Sequence, residues 1–499
     1  MCERFLPEYQ TVYVISDLHL GGYVERYRDE MRDYRIFQDG AALAWFIRDV
    51  VLTDPSTGRI ALVINGDLVD FLAVKDATYF DWKGADRKLT EIIEDPSLTE
   101  MWNALNAFVR KGRGDLVIVL GNHDLELALP GPQQLLLKRL AGSGAAQRAR
   151  VIFAMDGAGF PCLVGDKHVF CTHGNEVDPW NAIEWGRLAF IRRALTRGSL
   201  VRDRKLLEDV WIPNPGTQLV IEHLNGVKRS HQWIDLLKPE EEGAAMVAAA
   251  ITKSPAIRTF AEVMWNTRSI QKRLQQGFMG AGRVEQQEAL PTLHWQPATP
   301  KEIDELLEVA VTAVARGQRP ADLVDGSDEF LMGKFEMFRR TMQLKLWPTS
   351  LRDVLLATLT DNKAFDIATP DDVFRELDAV CGSSIDFLVA GHTHLQRARE
   401  RDLARGKYYF NSGTWIRLAA IPAEALGPGE FEKVELRLLH GSIRRLADES
   451  PRLIREIRTV VKIGVGKDGR TRGRLFTVEP SANKGWAMVE VAGSQLPRA

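Results

Sequence analysis

The sequence predicts an α/β fold with a largely parallel central sheet, and two observations carry that prediction. Short runs of apolar, often β-branched residues recur along the chain, and several of them end in a polar loop that contains glycine. Runs without polar alternation are typical of strands that are buried on both faces, as in parallel sheets. Longer stretches with apolar residues at helical spacing lie between these runs, so the elements follow a βαβ order.

The predicted strands and helices alternate most clearly in the first third of the chain. The predicted strands cover 12–15, 60–64, 116–120 and 168–173, and the predicted helices between them cover 39–51 and 98–111. Each helix carries an apolar stripe on one face, which is typical of a helix that packs on a sheet. Further strands are predicted at 385–390 and 407–416.

The composition indicates a globular chain with a large core. The 499 residues are 45% hydrophobic and 26% charged, which predicts several domains or one domain with large insertions. Because Lys plus Arg (65) nearly balance Asp plus Glu (67), net charge gives no support for a nucleic-acid partner, although one stays possible. The four cysteines are too few for a disulfide framework. No run approaches the roughly 18 apolar residues of a membrane span, and the N-terminus lacks a long apolar region, so a cytoplasmic location is expected.

Four segments are expected along the chain. They are a first core segment at 11–178, a helical insertion or cap at 180–370, a second core segment at 371–445 and a β-rich extension at 446–499. Within the insertion, the capping box that begins at Thr299 predicts a helix to about Arg316. Other insertion helices are predicted around 181–197, 243–276 and 327–345, and one more begins near Thr369.

The stretch from about 430 to the C-terminus is expected to be β-structure. Alternation at 434–438 favours a strand, and 460–465 is predicted to pair with 474–478 across the turn at 467–470. These strands either complete the core or form a small separate sheet.

Polar residues follow five of the predicted strands. They are Asp17 and His19, Asp67 and Asp70, Asn122 and His123, His173, and finally His392 and His394. Each motif alone is ordinary turn chemistry, but together they hold five of the ten histidines. Because the carboxyl ends of parallel strands meet at one edge of a sheet, a common site is favoured. If the chain stays extended through the D-x-H and H-x-H motifs, both members of each pair point to the same side.

Imidazole, carboxylate and amide oxygen donors form a mixed set that suits Mn, Fe or Zn rather than Ca or a thiolate-held zinc. Seven candidate ligands are too many for one ion, whereas two divalent ions about 3.5 to 4 Å apart, with one shared carboxylate, use them all. The candidate ligands are Asp17, His19, Asp67, Asn122, His173, His392 and His394. Mn is the first candidate, with Fe and Zn as alternatives.

In order and in type, the five motifs resemble those of the calcineurin-like metallophosphoesterase superfamily, over roughly 11–178 and 385–420. The resemblance implies a four-layer α/β/β/α sandwich and a hydrolase that cleaves a phosphate ester or pyrophosphate bond by in-line attack of a metal-bridging hydroxide. It also implies a ligand set for each ion: Asp17, His19, Asp67 and His394 for the first, and Asp67, Asn122, His173 and His392 for the second. Asp67 would bridge the two ions.

The resemblance also implies roles for residues beside the metals. His123 would protonate the leaving oxygen or bind the phosphate. Asp70 would orient His123, as a carboxylate fixes an imidazole tautomer, although a carboxylate at a helix N-terminus is an equal alternative. For Asp124, helix capping is the favoured interpretation.

A narrower resemblance links the chain to the branch that contains UDP-2,3-diacylglucosamine hydrolases. It rests on the opening Ser16–Gly21 segment, on 172–178 and on 413–415. The chain departs from that branch at His123, where the branch typically has Arg, and in its much longer insertion. The alternatives are a nuclease or protein phosphatase of the same superfamily, or a binding module that kept the fold without the chemistry.

Overall fold

Two β-sheets packed face to face form the centre of the protein in the computed structural model. The structure describes residues 6–27, 30–75, 77–111, 113–178, 181–198, 352, 355, 365–419, and with gaps 213–237 and 421–498. The predicted insertion helices at 243–276, 299–316 and 327–345 lie outside the described residues. The predicted helix around 181–197 lies at Trp185–Thr196, and the one that begins near Thr369 lies at Asp372–Val380.

The first sheet has seven strands in the order β17-β16-β15-β2-β5-β6-β7. These strands are β2 (Thr11–Ile15), β5 (Ile60–Asn65), β6 (Gly114–Val119), β7 (Val151–Ala154), β15 (Thr459–Val465), β16 (Thr471–Ser481) and β17 (Gly485–Glu490). The four strands from the first part of the chain are parallel, as the unbroken apolar runs predict. The three C-terminal strands are antiparallel and extend the same sheet through the pairing of β15 with β2.

The second sheet has six strands in the order β1-β8-β9-β10-β12-β11. They are β1 (Glu8–Tyr9), β8 (Phe160–Val164), β9 (Lys167–Cys171), β10 (Phe387–Ala390), β11 (Arg397–Glu400) and β12 (Tyr408–Asn411). Strands β9, β10 and β12 run parallel to one another. Residues far apart in the chain are therefore neighbours here, and the loops after β9 and β10 leave the sheet at the same edge.

Side chains from the two sheets meet in a continuous apolar core. Val12 and Val14 of β2 belong to the same buried cluster as Val169 and Val389 of the second sheet. Because strand side chains alternate, Tyr13 and Ile15 of β2 point the other way and pack under helices. The strands are thus buried on both faces, which explains why their residues form unbroken apolar runs in the sequence.

Helices cover the outer face of each sheet and complete four layers. The first sheet is covered by α1 (Gly40–Trp45), which continues as a π-helical turn at Phe46–Val51, together with α2 (Ala85–Glu94), α3 (Thr99–Lys111) and α4 (Pro130–Ala141). On the second sheet, Phe374 of the helix at Asp372–Val380 packs on Tyr409. The predicted α/β/β/α architecture is therefore confirmed, and so is the strand-rich C-terminal segment.

One secondary-structure prediction is wrong. Residues 434–438, predicted as a strand, lie in a helix at Phe431–His440. Phe431, Val434 and Leu438 are all buried. Their spacing of three and four residues places them on one face of a helix, which outweighs the short alternation that favoured a strand.

Several smaller features complete the fold. Strands β3 (Val24–Tyr27) and β4 (Glu30–Asp33) form a two-stranded hairpin, and β13 (Arg417–Ala419) pairs with β14 (Ile454–Glu456) in another two-stranded sheet. The short helix Asn225–Lys228 and the following turn Gln232–Leu236 lie near this hairpin, because Gln232 donates a hydrogen bond to the carbonyl of Asp33. Among the described residues, no helix combines the length and apolar character needed to cross a bilayer.

Candidate metal centre

The candidate ligands lie in loops that follow five strands, all at one end of the sandwich. Asp17 and His19 follow β2, Asp67 follows β5, and Asn122 follows β6. In the second sheet, His173 follows β9, while His392 and His394 follow β10. Except for His392, all of these residues are at most 4% exposed, so the site is sheltered from bulk water.

The backbone of these loops is left-handed rather than extended. Asp17, His19, Asp67, His392 and His394 have φ values of 53°, 45°, 52°, 69° and 59°. Among the described residues, they are five of the six non-glycine residues with positive φ. The expectation that an extended backbone points both members of the D-x-H pair, and both members of the H-x-H pair, to the same side is therefore wrong. Instead, each strand ends in a tight left-handed turn, and such strain is typical of functional sites.

Backbone contacts join the loops to one another. The amide of His19 donates to the carbonyl of Asp67 at 2.9 Å, and the amide of Asp17 donates to that of Gly66 at 3.2 Å. A Cβ atom at Gly66 would collide with the His173 ring, and one at Gly121 would collide with Asp67. The glycines in the motifs thus permit the close approach that brings the candidate ligands together.

A first group of donor atoms comes from Asp17, His19 and His394. The Nε2 atom of His394 lies 3.2 Å from Oδ1 of Asp17 and 3.1 Å from Nε2 of His19. The Nδ1 atom of His19 donates to Asp70 at 3.1 Å, so in the neutral ring Nε2 presents its lone pair to this group. Asp67 is adjacent, with its Oδ2 3.7 Å from the same nitrogen.

A second group surrounds Asp67 and His173. Oδ2 of Asp67 lies 3.2 Å from Nε2 of His173, whose Nδ1 donates to the carbonyl of Asn65 at 2.8 Å. A carbonyl can only accept, so the neutral ring turns the lone pair of Nε2 towards Asp67. Oδ1 of Asn122 is buried and has no hydrogen-bond partner.

His392 lies at the edge of this second group. Its ring centroid is 5.3 Å from that of His173, and its amide donates to Oδ2 of Asp17 at 3.1 Å. The Nε2 atom contacts Oδ2 of Asp178 at 2.8 Å, so Nδ1 is the nitrogen that remains for a ligand. The structure therefore brings all seven candidate ligands into one region.

The electrostatics of the site favour a bound cation. Burial alone would raise the pKa of Asp17, but His394 and His173 outweigh it and lower that pKa to about 2. Burial likewise opposes ionisation of His173, yet the Asp67 carboxylate raises the pKa of this imidazole to about 10. The buried carboxylates thus stabilise positive charge at His173, whether it is supplied by a proton or by a metal ion.

The donor set fits divalent metal ions. Donor atoms of Asp17, His19 and His394 all lie within 4.8 Å of one another, and so do those of Asp17, Asp67 and His173. The lone pairs of these nitrogen and oxygen atoms point towards one another in a buried pocket. This arrangement costs free energy unless a cation or a proton lies between the atoms. Nitrogen and oxygen donors without thiolate match Mn, Fe or Zn.

Asp70 contacts two histidines with one oxygen. Its Oδ2 lies 3.1 Å from Nδ1 of His19 and 3.2 Å from Nδ1 of His123. The other oxygen accepts the amides of Leu72 and Ala73. A turn rather than a helix follows Asp70, so the alternative of a carboxylate at a helix N-terminus is wrong.

Asp124 does not cap the helical turn that follows it. Its two oxygens accept the amides of Gly121 at 2.7 Å and Leu68 at 2.8 Å, with no capping hydrogen bond. Burial, together with the Asp67 carboxylate, raises the pKa of Asp124 to about 8. Asp124 therefore links the loops that hold Asp67 and Asn122, so the capping interpretation is wrong.

Asp178 and Asn181 contact two of the candidate ligands, and neither contact was predicted from the sequence. Oδ2 of Asp178 accepts from Nδ2 of Asn181 at 2.9 Å, in addition to its contact with His392. Oδ1 of Asn181 accepts from Nδ2 of Asn122 at 3.3 Å. The only signal in the sequence is the position of both residues shortly after His173, and spacing alone does not reveal which ligand they contact.

Glu126 gives the stability of this region a pH dependence. It is buried, and burial raises its pKa to about 7 from the usual 4.5. The folded state therefore holds the proton more tightly, so this contribution to stability is complete below pH 4.5 and is lost as pH rises through 7. We expect Glu126→Gln to remove this loss of stability, which is roughly 3 to 4 kcal/mol for a pKa that rises from 4.5 to about 7 at 1.4 kcal/mol per pKa unit.

Thermal unfolding at pH 5 and pH 8 checks this expectation. The Gln variant should melt at a higher temperature than the unmodified protein at pH 8 and near the same temperature at pH 5. Glu91→Gln, in an exposed carboxylate paired with Arg87, serves as the control and should give no such difference. Equal melting temperatures for the Glu126 variant and the unmodified protein at both pH values would contradict the assignment.

Part of the chain that carries the candidate ligands is similar to a known protein family. Residues 10–237 match the family model described as calcineurin-like phosphoesterase, a range that includes the first four motifs. No curated protein matches the chain. This part of the chain is therefore similar to calcineurin-like phosphoesterases, and the candidate ligand groups agree in general with a metal-dependent phosphoesterase.

Proposed function

We propose that this protein is a dinuclear metal-dependent phosphoesterase that hydrolyses a phosphate ester or phosphoanhydride bond. The observation that carries the proposal is the convergence of buried carboxylate and imidazole atoms within 4.8 Å, at the loop end of a sandwich whose first part matches the family model. A non-catalytic binding module is disfavoured, since none of the seven candidate ligands is missing from the chain.

Two divalent ions would be held by residues from both sheets. Asp17, His19 and His394 would hold one ion, while Asn122, His173 and His392 would hold the other, with Asp67 between them. Mn is the first candidate, and Fe or Zn are alternatives. When bound, such a pair neutralises the charge of a phosphoryl group and provides a nucleophile at neutral pH.

His123 is the proposed catalytic acid of the protein chain itself. Its side chain is 17% exposed, more than the 3% of His19, so substrate can reach it. The Asp70 carboxylate, 3.2 Å from Nδ1, would keep the proton on that nitrogen in the neutral ring and stabilise the protonated ring. In that protonated state Nε2 carries a proton for the oxygen of the leaving group.

Asp178 is proposed to position His392. Because its carboxylate lies 2.8 Å from Nε2 of that ring, Asp178→Asn should lower metal affinity about 10- to 100-fold while the fold is kept. Titration of the metal-free protein with Mn²⁺, followed by calorimetry, measures the change. Asp166→Asn, in an exposed carboxylate paired with Lys167, is the control. If the Asp178 variant binds Mn²⁺ as tightly as the unmodified protein does, Asp178 does not position His392 for metal binding.

A substrate panel tests the proposed activity. The Mn-supplemented protein is assayed on a phosphomonoester, a phosphodiester, a pyrophosphate-linked compound and single-stranded DNA. We expect hydrolysis of at least one small ester or anhydride, with loss of the activity in EDTA and recovery after Mn²⁺ is restored. If all four substrates stay intact over a range of Mn²⁺ concentrations, the proposal is wrong.

The same panel separates the narrower candidates. Preference for the pyrophosphate-linked compound would agree with the resemblance to UDP-2,3-diacylglucosamine hydrolases. This chain differs from that branch at His123, where the branch typically has Arg. Preference for DNA would favour a nuclease, which the formal net charge of −2 does not support.

A further inference from the structure

Two candidate ligands from opposite sheets are joined by one chain of hydrogen bonds. Nδ2 of Asn122 donates to Oδ1 of Asn181 at 3.3 Å, and Nδ2 of Asn181 donates to Oδ2 of Asp178 at 2.9 Å. The same carboxylate oxygen lies 2.8 Å from Nε2 of His392. Asn122 follows β6 in the first sheet, whereas His392 follows β10 in the second. Asp178 and Asn181 therefore connect two loops that would hold the same metal ion.

The Asp178 carboxylate fixes the direction of the hydrogen bonds in this chain. A carboxylate only accepts, so the atom of Asn181 that faces it must be the amide nitrogen. The amide oxygen of Asn181 is then turned towards Asn122, and this oxygen also only accepts. Asn122 must therefore present its own nitrogen to Asn181. Oδ1 of Asn122 is left at the other end of the amide, where it is buried without a hydrogen-bond partner.

The orientation of the Asn122 amide determines whether this side chain can bind a metal ion. The oxygen has lone pairs for a cation, whereas the nitrogen carries two N–H donors. Because the two ends have nearly the same shape, packing alone does not distinguish them. A buried oxygen without a partner costs free energy, and a cation would remove that cost. A neighbour that only accepts hydrogen bonds thus selects the orientation in which Asn122 can serve as a ligand.

Asn181 is held in place by its own loop. It is 6% exposed, and its backbone amide donates to the carbonyl of Asp178 at 3.1 Å. Its carbonyl accepts from Nδ2 of Asn175 at 3.1 Å, and the amide of Asp178 donates to the carbonyl of Asn175 at 3.2 Å. These contacts fix the acceptor for Asn122 within the protein itself, as is usual for groups that orient a metal ligand.

We propose that Asn181 is a positioning residue that turns the amide oxygen of Asn122 towards a metal ion, and that Asp178 sets its orientation. This inference rests on the proposed function, because it requires an ion bound by Asn122. One carboxylate would orient two ligands, the imidazole of His392 directly and the amide of Asn122 through Asn181. The ion that these two ligands hold therefore depends on this loop, whereas the ion at the first group of donor atoms does not.

Titration of the metal-free full chain with Mn²⁺, followed by calorimetry, tests this role without turnover. Asn181→Leu keeps the approximate size of the side chain but removes both polar atoms. We expect one ion to keep its affinity and the other to bind about 10- to 100-fold more weakly, the usual loss for groups that support a metal ligand. Asn181→Ala should give the same result and replaces the leucine variant if that variant does not fold.

Asn106→Leu is the matched control for this substitution. Asn106 is a partly buried asparagine in α3, and its Nδ2 donates to the carbonyl of Leu140 at 2.8 Å. The same chemical change is thus made at a similar hydrogen-bonded position away from the candidate ligands. This variant should bind both ions as tightly as the unmodified protein does.

A second background separates orientation from packing. Asn122→Asp places an oxygen at both ends of the side chain, so no orientation has to be selected. In this background, Asn181→Leu should change the affinity for either ion by less than about threefold, as for a site that no longer interacts with residue 122. An equal loss in both backgrounds would show that Asn181 only packs in its loop and would overturn the inference. So would two unchanged affinities in Asn181→Leu when Asn122 is present.

Failure of the proposed function gives a different result. An unmodified protein that binds fewer than two ions would overturn the dinuclear centre, and this inference with it. Two bound ions without hydrolysis of any substrate in the panel would contradict only the proposed activity, because the effect of Asn181→Leu is measured by binding.

Discussion

Asp67→Asn is expected to reduce kcat by more than about 100-fold, which is the upper limit for residues that only support a metal ligand. Asp67 is buried between both candidate ligand groups, with Oδ2 3.2 Å from His173 and 3.7 Å from His19. Asparagine keeps the shape of the side chain but lacks the negative charge and the second oxygen donor. The variant should therefore bind fewer than two ions per chain, as measured by metal analysis after desalting.

Asp386→Asn is the matched control for this prediction. Its carboxylate pairs with Lys407 at 2.7 Å at the start of β10, away from the candidate ligands. This variant should keep both its metal content and its rate. Full activity of Asp67→Asn with two ions bound would mean that Asp67 is not a bridging ligand.

His123→Asn is expected to show an effect that depends on the leaving group. General acid catalysis contributes about 10²- to 10⁴-fold when the leaving oxygen needs a proton, as it does in an alkyl ester. A p-nitrophenyl ester releases a stable anion, so for this substrate the loss should be less than about tenfold. Rates on one alkyl and one p-nitrophenyl ester, measured at saturating Mn²⁺, give the comparison.

Metal content separates an acid from a ligand at this position. The His123 variant should bind as much Mn²⁺ as the unmodified protein, because His123 is not among the proposed ligands. His168→Asn, which changes a histidine in β9 outside the candidate site, should leave both substrates unaffected. Equal losses on the two esters would show that His123 does not supply the proton.

The layered fold could be predicted because the strands are buried on both faces. Ile60–Asn65 and Gly114–Val119 are buried at every position, so their lack of alternation identified them as central parallel strands. The region of the candidate ligands followed from the same reasoning, since the residues after each strand meet at one edge. The helix at Phe431–His440 was missed because a five-residue alternation is too short to distinguish a strand from one face of a helix.

Local backbone geometry could not be predicted from the sequence. Asp17 and His394 adopt left-handed conformations that their own propensities disfavour, and these are imposed by contacts between loops far apart in the chain. The pairing of Asp178 with His392 and the contact of Asn181 with Asn122 likewise depend on how the loops pack together. Neither follows from the order of residues within a single motif.

Anomalous diffraction from crystals grown with Mn²⁺ would show whether side chains from both sheets hold a pair of metal ions. We expect two manganese peaks about 3.5 to 4 Å apart, with Asp67 between them and with Asp17 and His173 on opposite sides. A single peak, or peaks away from Asp67, would show that the protein has no such dinuclear centre.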